Sequence, residues 1–465
     1  AELNGHEIYN TDISSAYLES YTTEKVFIIG GPEFEKLEGH ILIIDKALYG
    51  LRFSGKLFGE LLFEILEDQG FKPSKAEPQI WMRPTPGEDG YEYVATYVDD
   101  LFLAMKDPQG FIKILESKPY CLKFKGTSKI DFHLGADFGR DPSGTLYMSP
   151  RRYIERIEET YEKFFGEKPK RNVSSPLEDN DHPKLDTSEL MDDEGRARYQ
   201  TLIGQMQWAV SIGRFDITTA LMTMSSFRTM PRDGHMDRVK RMIGYLQKYK
   251  HYCIRFRTDM PDFSSLSNDA ANWDFTVYKD EKEILPQDAP KPRGKPVCIT
   301  SYFDANLMHD MLSGKAVTGI IHYFNGTPIE AYSKKQATVE TATYGSEFCA
   351  ARTCMEQIIE LRNYLRYLGV PVVEKTYVFG DNDAMINSAK IPFSKLHKRH
   401  HILTYHYVRS IIATGIINLS HIKSKHNCSD ICSKHWSHAA VGNMLEIMFN
   451  TVGDPFRRLY WDLGE

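Results

Sequence analysis

The chain has 465 residues, of which 42% are hydrophobic and 26% are charged, and its formal net charge is −6. This balance excludes a wholly disordered chain, and the length predicts several domains at about 150 residues per domain. The sequence contains no apolar run of about 18 residues and no visible secretion signal. Its seven cysteines include no CxxC pair, which indicates a reducing compartment.

The first third of the chain alternates apolar strands with a helix. Residues 26–29 and 41–44 are typical of strands, and residues 57–66 have the apolar spacing of a helix. Residues 93–104 indicate a buried hairpin that is interrupted by two acids. The pattern predicts an α+β fold for this part of the chain.

The remainder of the chain changes character twice. Residues 151–255 are mostly helical, whereas residues 258–296 are polar, acidic and rich in proline toward their end, which is typical of a linker or an insertion. Three strands, a helix, a strand, a helix, a strand and a last helix follow. The segments before that last helix are residues 297–303, 317–323, 329–333, 346–367, 376–380, 383–389 and 416–421.

Two adjacent acids, Asp99 and Asp100, stand at the turn of the apolar hairpin, and Asp12 ends another apolar segment. A buried carboxylate without a partner is heavily penalised, and a divalent cation would remove that penalty. Three hard oxygen ligands on neighbouring strands suit two Mg²⁺ ions about 3.5–4 Å apart. The alternative is a hairpin turn with solvated aspartates, because such pairs are common in turns.

The segments around these acids resemble those of copia-type (Pseudoviridae) LTR retrotransposon reverse transcriptases. Tyr97-Val98-Asp99-Asp100 is similar to the central signature of reverse transcriptases. Asp12 with Ala16-Tyr17 is similar to the upstream metal-binding motif, whose aromatic residue acts as a steric gate against ribonucleotides. Further similar segments are Ala47-Leu48-Tyr49-Gly50-Leu51-Arg52, Lys125-Gly126, Leu134-Gly135 and Tyr199-Gln200-Thr201-Leu202-Ile203-Gly204.

The sequence departs from this family in two places. Arg52-Phe53 stands where the family usually has Lys-Gln, within the segment that faces the incoming nucleotide. Only eleven residues precede Asp12, whereas these polymerases carry an upstream fingers region whose basic residues clamp the triphosphate. We therefore expect a palm that lacks most of its fingers, and we expect polymerisation only if fingers are supplied.

Four acids in the last third of the chain lie at strand or helix ends. Asp304, Glu347, Asp381 and Asp430 resemble the metal-binding tetrad of ribonuclease H. Four unrelated surface acids are the alternative, which is disfavoured because this sheet fold places its site at such ends. Segments similar to that family's blocks are Ser333-Lys334-Lys335-Gln336, Asp381-Asn382 and His397-Lys398-Arg399-His400-His401-Ile402.

The resemblance implies two Mg²⁺ ions in each catalytic site, with Mn²⁺ as an alternative. The expected catalytic and metal-binding residues are Asp12, Asp99, Asp100, Asp304, Glu347, Asp381 and Asp430. The expected substrate-binding residues are Tyr17, Tyr49, Gly50, Arg52, Lys125, Lys335, Gln336, Asn382, Lys398 and Arg399.

The expected architecture is a multidomain chain of α+β and α/β class. We expect a reverse transcriptase palm with a ferredoxin-like fold at 1–140, a helical thumb or connection at 141–257 and a linker or insertion at 258–296. An RNase H-like domain, with a mixed five-stranded sheet and helices, is expected at 297–438, and a C-terminal tail at 439–465.

The implied function is that of a retrotransposon-derived reverse transcriptase and ribonuclease H. Its partners would be an RNA/DNA hybrid, an RNA template, a DNA primer and dNTPs, without a membrane. A homodimer, or other pieces of the element's polyprotein, are further partners left open. The expected location is intracellular, in cytoplasmic particles or in the nucleus. Two alternatives are a nuclease whose palm only binds nucleic acid and a decayed element product kept for binding or assembly.

Cys428, Cys432, His435 and His438 are close enough in sequence to suggest zinc. Their spacing lacks the usual CxxC knuckle, and free cysteine behaves as a small buried hydrophobe. We therefore expect Cys428 and Cys432 to lie in the apolar core.

Overall fold

The computed structural model describes residues 1–264, 266, 271–396 and 401–449. The strands are, in chain order, β1 (Glu7–Ile13), β2 (Tyr21–Ile29), β3 (Ile41–Lys46), β4 (Lys72–Pro73), β5 (Ile80–Pro84), β6 (Tyr91–Tyr97), β7 (Asp100–Met105), β8 (Phe124–Lys129), β9 (Phe132–His133), β10 (Ala136–Arg140), β11 (Leu146–Ser149), β12 (Ile254–Arg255), β13 (Ile299–Asp310), β14 (Lys315–Phe324), β15 (Thr327–Lys335), β16 (Thr376–Gly380) and β17 (Ile417–His421). The α-helices are α1 (Ser54–Asp68), α2 (Pro108–Glu116), α3 (Arg151–Phe165), α4 (Asp193–Ser211), α5 (Thr218–Ser225), α6 (Asp233–Lys248), α7 (Thr343–Tyr367), α8 (Asp383–Lys390), α9 (Ile402–Ala413), α10 (Asp430–Ser433) and α11 (His438–Met448).

The chain divides into two compact units. The first unit comprises Ala1–Asp131, Asp288–Lys295 and Tyr364–Pro371, and the second contains the rest of the chain. Among the described residues, no helix combines the length and the apolar character that a bilayer crossing requires.

The first unit is built on a six-stranded sheet in the order β4-β5-β6-β7-β1-β8. Helix α1 packs against it because its apolar residues recur at helical spacing and form one buried face. Strands β1 and β7 contribute alternate side chains, including Ile13, Leu101 and Leu103, to the same core. The expected α+β palm, with its helix at 57–66 and its hairpin at 93–104, is confirmed.

Strands β2 and β3 form a separate two-stranded sheet in this unit. The predicted strands at 26–29 and 41–44 are thereby confirmed, but their apolar side chains are not buried. The exposed fractions are 61% for Phe27, 70% for Ile29, 69% for Ile41 and 77% for Ile43. Hydrophobic sequence alone therefore predicted the strands without predicting their burial.

The second unit contains a five-stranded mixed sheet in the order β15-β14-β13-β16-β17. Strands β15, β14 and β13 are antiparallel, whereas β16 and β17 run parallel to β13. Both faces of the sheet are covered, since Ile320 joins the core beneath α7 and its neighbour Ile321 joins the core of the helical region. The expected RNase H-like sheet is confirmed by this topology.

Helices α3 to α6 pack beside a small sheet in the order β12-β11-β10-β9. Their core is continuous with one face of the mixed sheet, and Cys428 and Cys432 are buried in it as expected. The described part of residues 258–296 contains neither helix nor strand. The domain boundaries drawn from the sequence stay a prediction. Helix α11 begins at His438, the last residue of the expected RNase H-like domain, and continues into the span that was expected to be a tail.

Candidate active sites

A tight hairpin turn carries two of the three acids expected in the first unit. Residues Val98 and Asp99 join β6 to β7, with Tyr97 paired to Asp100 across the hairpin. Val98 has a φ of 57°, a conformation that β-branched residues rarely adopt and that often marks a functional turn. The Asp99 carbonyl accepts a 2.9 Å hydrogen bond from the Ile13 amide, which fixes the turn against the end of β1.

Asp12 lies directly opposite Asp100 in the register of β1 and β7. Opposite residues of an antiparallel pair share a face of the sheet, so the two side chains leave the same face. We call Asp12, Asp99 and Asp100 the palm triad. The Lys125 ammonium on β8 lies 3.1 Å from Asp12, and this hydrogen bond, with the charge of Asp12, raises the pKa of Lys125. A predicted substrate-binding lysine thus contacts the carboxylate that was predicted to bind metal.

Tyr17 reaches the same region through a turn. Ser15 has a φ of 55°, and a 3-10 helix follows at Ala16–Glu19, which supplies the change of direction that an odd offset from Asp12 requires. The Tyr17 ring lies with its centroid 4.5 Å from that of Tyr49. A groove runs from Tyr17 along α1 to Val98. Gly50 has a φ of 101°, which only glycine adopts readily, and Arg52 beyond it is exposed.

Four acids of the second unit are associated with the edge of the mixed sheet, and we call Asp304, Glu347, Asp381 and Asp430 the sheet-edge tetrad. The prediction that Asp304 ends its strand is wrong, because β13 continues to Asp310 and Asp304 lies in its middle. Asp381 directly follows the adjacent parallel strand β16. Asp430 begins α10. Carboxylate oxygens of Asp304, Asp381 and Asp430 all lie within 4.8 Å of one another, and Glu347 on α7 is only 4% exposed.

Two local features hold α10 against the sheet. Asn427 donates a 3.1 Å hydrogen bond from Nδ2 to the Phe303 carbonyl, while its Oδ1 accepts a 2.6 Å bond from the Ser429 hydroxyl. Gly319 on β14 allows the close approach of the helix, because a Cβ there would lie 2.6 Å from the Ser433 nitrogen. The position of Asp430 therefore depends on the amide side chain of Asn427 and on the absence of a side chain at Gly319.

Burial and mutual repulsion set the electrostatics of the tetrad. Burial, followed by the charge of Asp304, raises the pKa of Asp430 to about 7. Burial, followed by Asp304 and Asp381, also raises the pKa of Glu347. The raised pKa values indicate that the negative charges of the ionised tetrad are not fully compensated by neighbouring positive charges.

Lys434 supplies part of that positive charge. Its ammonium lies 2.8 Å from Asp430 Oδ1 and 3.2 Å from Asp304 Oδ2, and the Ser433 hydroxyl also donates to Asp304. Although burial opposes the charged form, the two acids raise the pKa of Lys434 overall. The donor set, which consists of hard carboxylate oxygens around a buried point, fits divalent magnesium.

The predicted substrate-binding residues of this unit have other contacts in the structure. Lys335 donates to Asp310 at 2.7 Å, and Asn382 caps α8 by accepting a bond from the Met385 amide at 3.0 Å. Gln336 is mostly buried and donates to the Ser346 carbonyl at 2.9 Å, next to Glu347. Their contact with substrate stays a prediction. Lys398 and Arg399 lie outside the described residues.

Sequence reasoning missed Lys434, Ser433 and Asn427. A signal for Lys434 was present, because it follows Asp430 by four residues, one helical turn. The roles of Asn427 and Ser433 depend on contacts with β13 that are distant in sequence. Those two roles had no local signal.

One chain thus contains a palm with acids in a hairpin turn and an RNase H-like sheet. These two features define the class of protein. Residues 1–166 match the family described as reverse transcriptase (RNA-dependent DNA polymerase). The chain is 24% identical over 441 residues to the retrovirus-related Pol polyprotein from transposon TNT 1-94 of Nicotiana tabacum, covering 92% of this chain and 30% of that protein. It is 22% identical over 439 residues to the retrovirus-related Pol polyprotein from transposon RE1 of Arabidopsis thaliana, covering 94% of this chain and 27% of that protein.

Among solved structures, the foamy viral protease-reverse transcriptase in complex with RNA/DNA hybrid aligns with a TM-score of 0.42 at 13% identity, covering 90% of this chain and 44% of that chain. The chain spans less than a third of the length of the two Pol polyproteins. The family match and the two Pol relatives confirm the resemblance of this chain to copia-type retrotransposon reverse transcriptases.

Proposed function

We propose that the second unit hydrolyses the RNA strand of RNA/DNA hybrids. The observation that supports this proposal is the sheet-edge tetrad. Three of its carboxylates have oxygens within 4.8 Å of one another, which concentrates negative charge at a partly buried point. Asp304, Glu347, Asp381 and Asp430 would hold two Mg²⁺ ions. When bound, the metals supply activation of water and stabilisation of the departing 3′ oxygen.

The protein's own residues prepare the site for cations. Lys434 partly compensates the charges of Asp304 and Asp430 and holds both side chains in place. Gln336 fixes the start of α7, which orients Glu347 toward the sheet. Lys335, Asn382, Lys398 and Arg399 would contact the hybrid, whose minor-groove shape and 2′-hydroxyls distinguish it from DNA.

The test is cleavage of a strand-labelled hybrid. We expect the RNA strand to be cut with Mg²⁺, no cutting with EDTA, and no cutting of double-stranded DNA. Mn²⁺ in place of Mg²⁺ should also support cleavage, because it accepts the same oxygen ligands. Metal-independent cleavage, or a hybrid left intact in Mg²⁺ by folded protein, would contradict the proposal.

A second activity, RNA-directed DNA polymerisation, is proposed for the first unit. The observation that favours it is the opposition of Asp12 and Asp100 beside the strained Val98-Asp99 turn. Asp12, Asp99 and Asp100 would hold two Mg²⁺ ions, which when bound supply charge neutralisation for phosphoryl transfer. The nucleotide would be contacted by Tyr17, Tyr49, Gly50, Arg52 and Lys125. Primer extension on an RNA template, with and without an added fingers segment, tests this activity.

Two alternatives remain distinguishable by these assays. Hybrid cleavage without extension, even when fingers are added, would favour a nuclease whose palm only binds nucleic acid. Nucleic-acid binding without either activity would favour a decayed element product. Intact acids at all the proposed ligand positions disfavour the second alternative.

A further inference from the structure

A second group of metal-ligand side chains lies in the second unit, apart from the sheet-edge tetrad. It consists of Glu340, Cys349 and His401, and one ligand atom from each lies within 4.8 Å of the other two. The His401 Nε2 atom is 2.9 Å from Glu340 Oε2, and the Cys349 Sγ atom is 3.8 Å from Glu340 Oε1. We call these residues the Glu-Cys-His cluster.

Three separate parts of the chain build this cluster. Glu340 precedes α7, Cys349 lies in that helix, and His401 directly precedes α9. Glu340 and His401 are only 7% and 3% exposed, so the polar atoms are withdrawn from solvent. The Thr338 hydroxyl donates to Glu340 Oε1 at 3.0 Å and orients the carboxylate.

Gly345 keeps space beside the cluster. A Cβ at this position would lie 2.4 Å from His401 Nε2 and 2.7 Å from Glu340 Oε2. Any other residue would therefore displace the two ligand atoms that face each other. The glycine is an independent sign that the chain accommodates a close arrangement of these atoms.

We propose that Glu340, Cys349 and His401 bind one Zn²⁺ ion. Zinc takes nitrogen, sulfur and oxygen ligands in tetrahedral geometry, with bonds of about 2.0–2.3 Å, which separates neighbouring donor atoms by about 3.3–3.7 Å. One ligand atom from each of the three residues lies within 4.8 Å of the other two, so small side-chain movements would bring the donors to that spacing. On binding, the thiol of Cys349 loses its proton to solvent as the sulfur–zinc bond forms.

The donor set separates this site from the tetrad. The tetrad presents only hard carboxylate oxygens, which suit magnesium, whereas a thiol and an imidazole favour zinc. Zinc at the cluster would tie the start of α9 to α7, the helix that also carries Glu347. The three protein ligands would leave the fourth position of the zinc to water. None of them belongs to the tetrad, so the inference does not depend on the proposed hydrolase activity.

The test measures metal directly on the full chain. Protein purified from zinc-supplemented cells and desalted should contain about one zinc per chain by mass spectrometry. After replacement by Co²⁺, it should show the near-ultraviolet thiolate-to-cobalt charge-transfer band. Cobalt held only by the carboxylates of the tetrad would not produce that band, because the band requires a thiolate ligand.

Variants assign the signal to residues. Cys349→Ser and His401→Gln should each lower the zinc content about tenfold or more, with Cys349→Ser also losing the band. The exposed Cys121 provides the control, and Cys121→Ser should retain both signals. A melting curve checks that each variant is folded.

Three results would overturn the proposal. Folded wild-type protein without zinc after supplementation would reduce the cluster to a buried hydrogen-bonded group. Equal zinc in Cys349→Ser and wild type would place the metal elsewhere. If Cys349→Ser does not fold, the wild-type cobalt spectrum decides, and a spectrum without the thiolate band rejects the site.

Discussion

The palm triad and the sheet-edge tetrad present similar acids in different surroundings. Asp12 of the triad has 29% of its side chain exposed and meets a lysine that is itself 65% exposed. In the tetrad, the side chain of Asp304 is 3% exposed and its lysine partner 38%. Burial leaves the charges of the tetrad poorly screened and holds its side chains in place. Solvent screens the charges of the triad and leaves its side chains freer to move.

The largest expected effect separates the two sites by activity. Asp381→Asn should lower hybrid cleavage at least about a hundredfold, because a metal ligand contributes several kcal/mol to such a site. It should leave primer extension unchanged. Asp99→Asn/Asp100→Asn should have the reverse pattern, and both rates would be measured on the same preparations with added fingers.

Asp383→Asn is the matched control for Asp381→Asn. Asp383 lies two residues further along, and its side chain is 70% exposed at the start of α8. Cleavage should persist in this variant. Undiminished cleavage by Asp381→Asn would reject the tetrad, and extension by the Asp99→Asn/Asp100→Asn variant would reject the triad.

Substitution of Lys434 and Lys125 tests whether burial accounts for the difference between the tetrad and the triad. In EDTA, Lys434→Met should destabilise the protein by about 1 kcal/mol after allowance for solvent screening, because two buried acids lose their cation. Lys125→Met should leave the melting temperature nearly unchanged, since that ion pair is exposed. Mg²⁺ should stabilise the Lys434→Met variant more than wild type. Equal melting shifts in the two variants would contradict the comparison.

A smaller effect concerns pH. Because the pKa of Asp430 is raised from 3.8 to about 7, the folded state without metal binds more protons than the unfolded state between these values. The contribution of Asp430 to stability therefore falls as pH rises through this window. In EDTA, the melting temperature of Asp430→Asn relative to wild type should rise by about 2–4 °C from pH 5 to pH 8.

This comparison with Asp430→Asn is needed because buried histidines act in the opposite direction. Burial lowers the pKa of His309 to about 3 and of His322 to about 4, and their contribution to stability increases with pH up to the ordinary histidine value. Both proteins share these histidines, so the difference isolates Asp430. A difference that is constant with pH would show that Asp430 has no raised pKa.

The last prediction, at Tyr17, concerns nucleotide selectivity rather than stability. The resemblance places its ring beneath the ribose of the incoming nucleotide, so Tyr17→Ala should admit ribonucleotides without loss of hybrid cleavage. Matched dNTP and rNTP titrations, with fingers supplied, measure the selectivity. A large fall in melting temperature with unchanged selectivity would instead assign Tyr17 to the palm core, where its ring already packs near Tyr49 and Phe58.

Local patterns predicted the elements better than their surroundings. The alternation around Asp99 and the helical spacing of 57–66 are properties of neighbouring residues, and both elements were confirmed. The exposure of β2 and β3 could not be predicted, because apolar strands look alike whether or not another element covers them. The shared core of the helical region and the mixed sheet is likewise a tertiary property.

The candidate sites show the same division. The four acids of the tetrad could be proposed from expected places at strand and helix ends, although β13 extends six residues beyond Asp304. The Lys434 contacts with Asp304, and the space that Gly319 leaves for α10, depend on residues more than a hundred positions apart. The Glu-Cys-His cluster was also missed, because the sequence gives His401 a place only in the segment 397–402 that resembles a block of the ribonuclease H family.

The exposed hairpin of β2 and β3 will influence whether the purified protein associates with itself in solution. Its apolar side chains stand in solvent on a strand pair, and unpaired strand edges invite pairing between molecules. Concentrated samples should therefore cluster reversibly and then precipitate, and a dye that fluoresces on apolar surfaces should bind before any heating. Assays of the proposed activities should be most reproducible in dilute protein with a mild detergent.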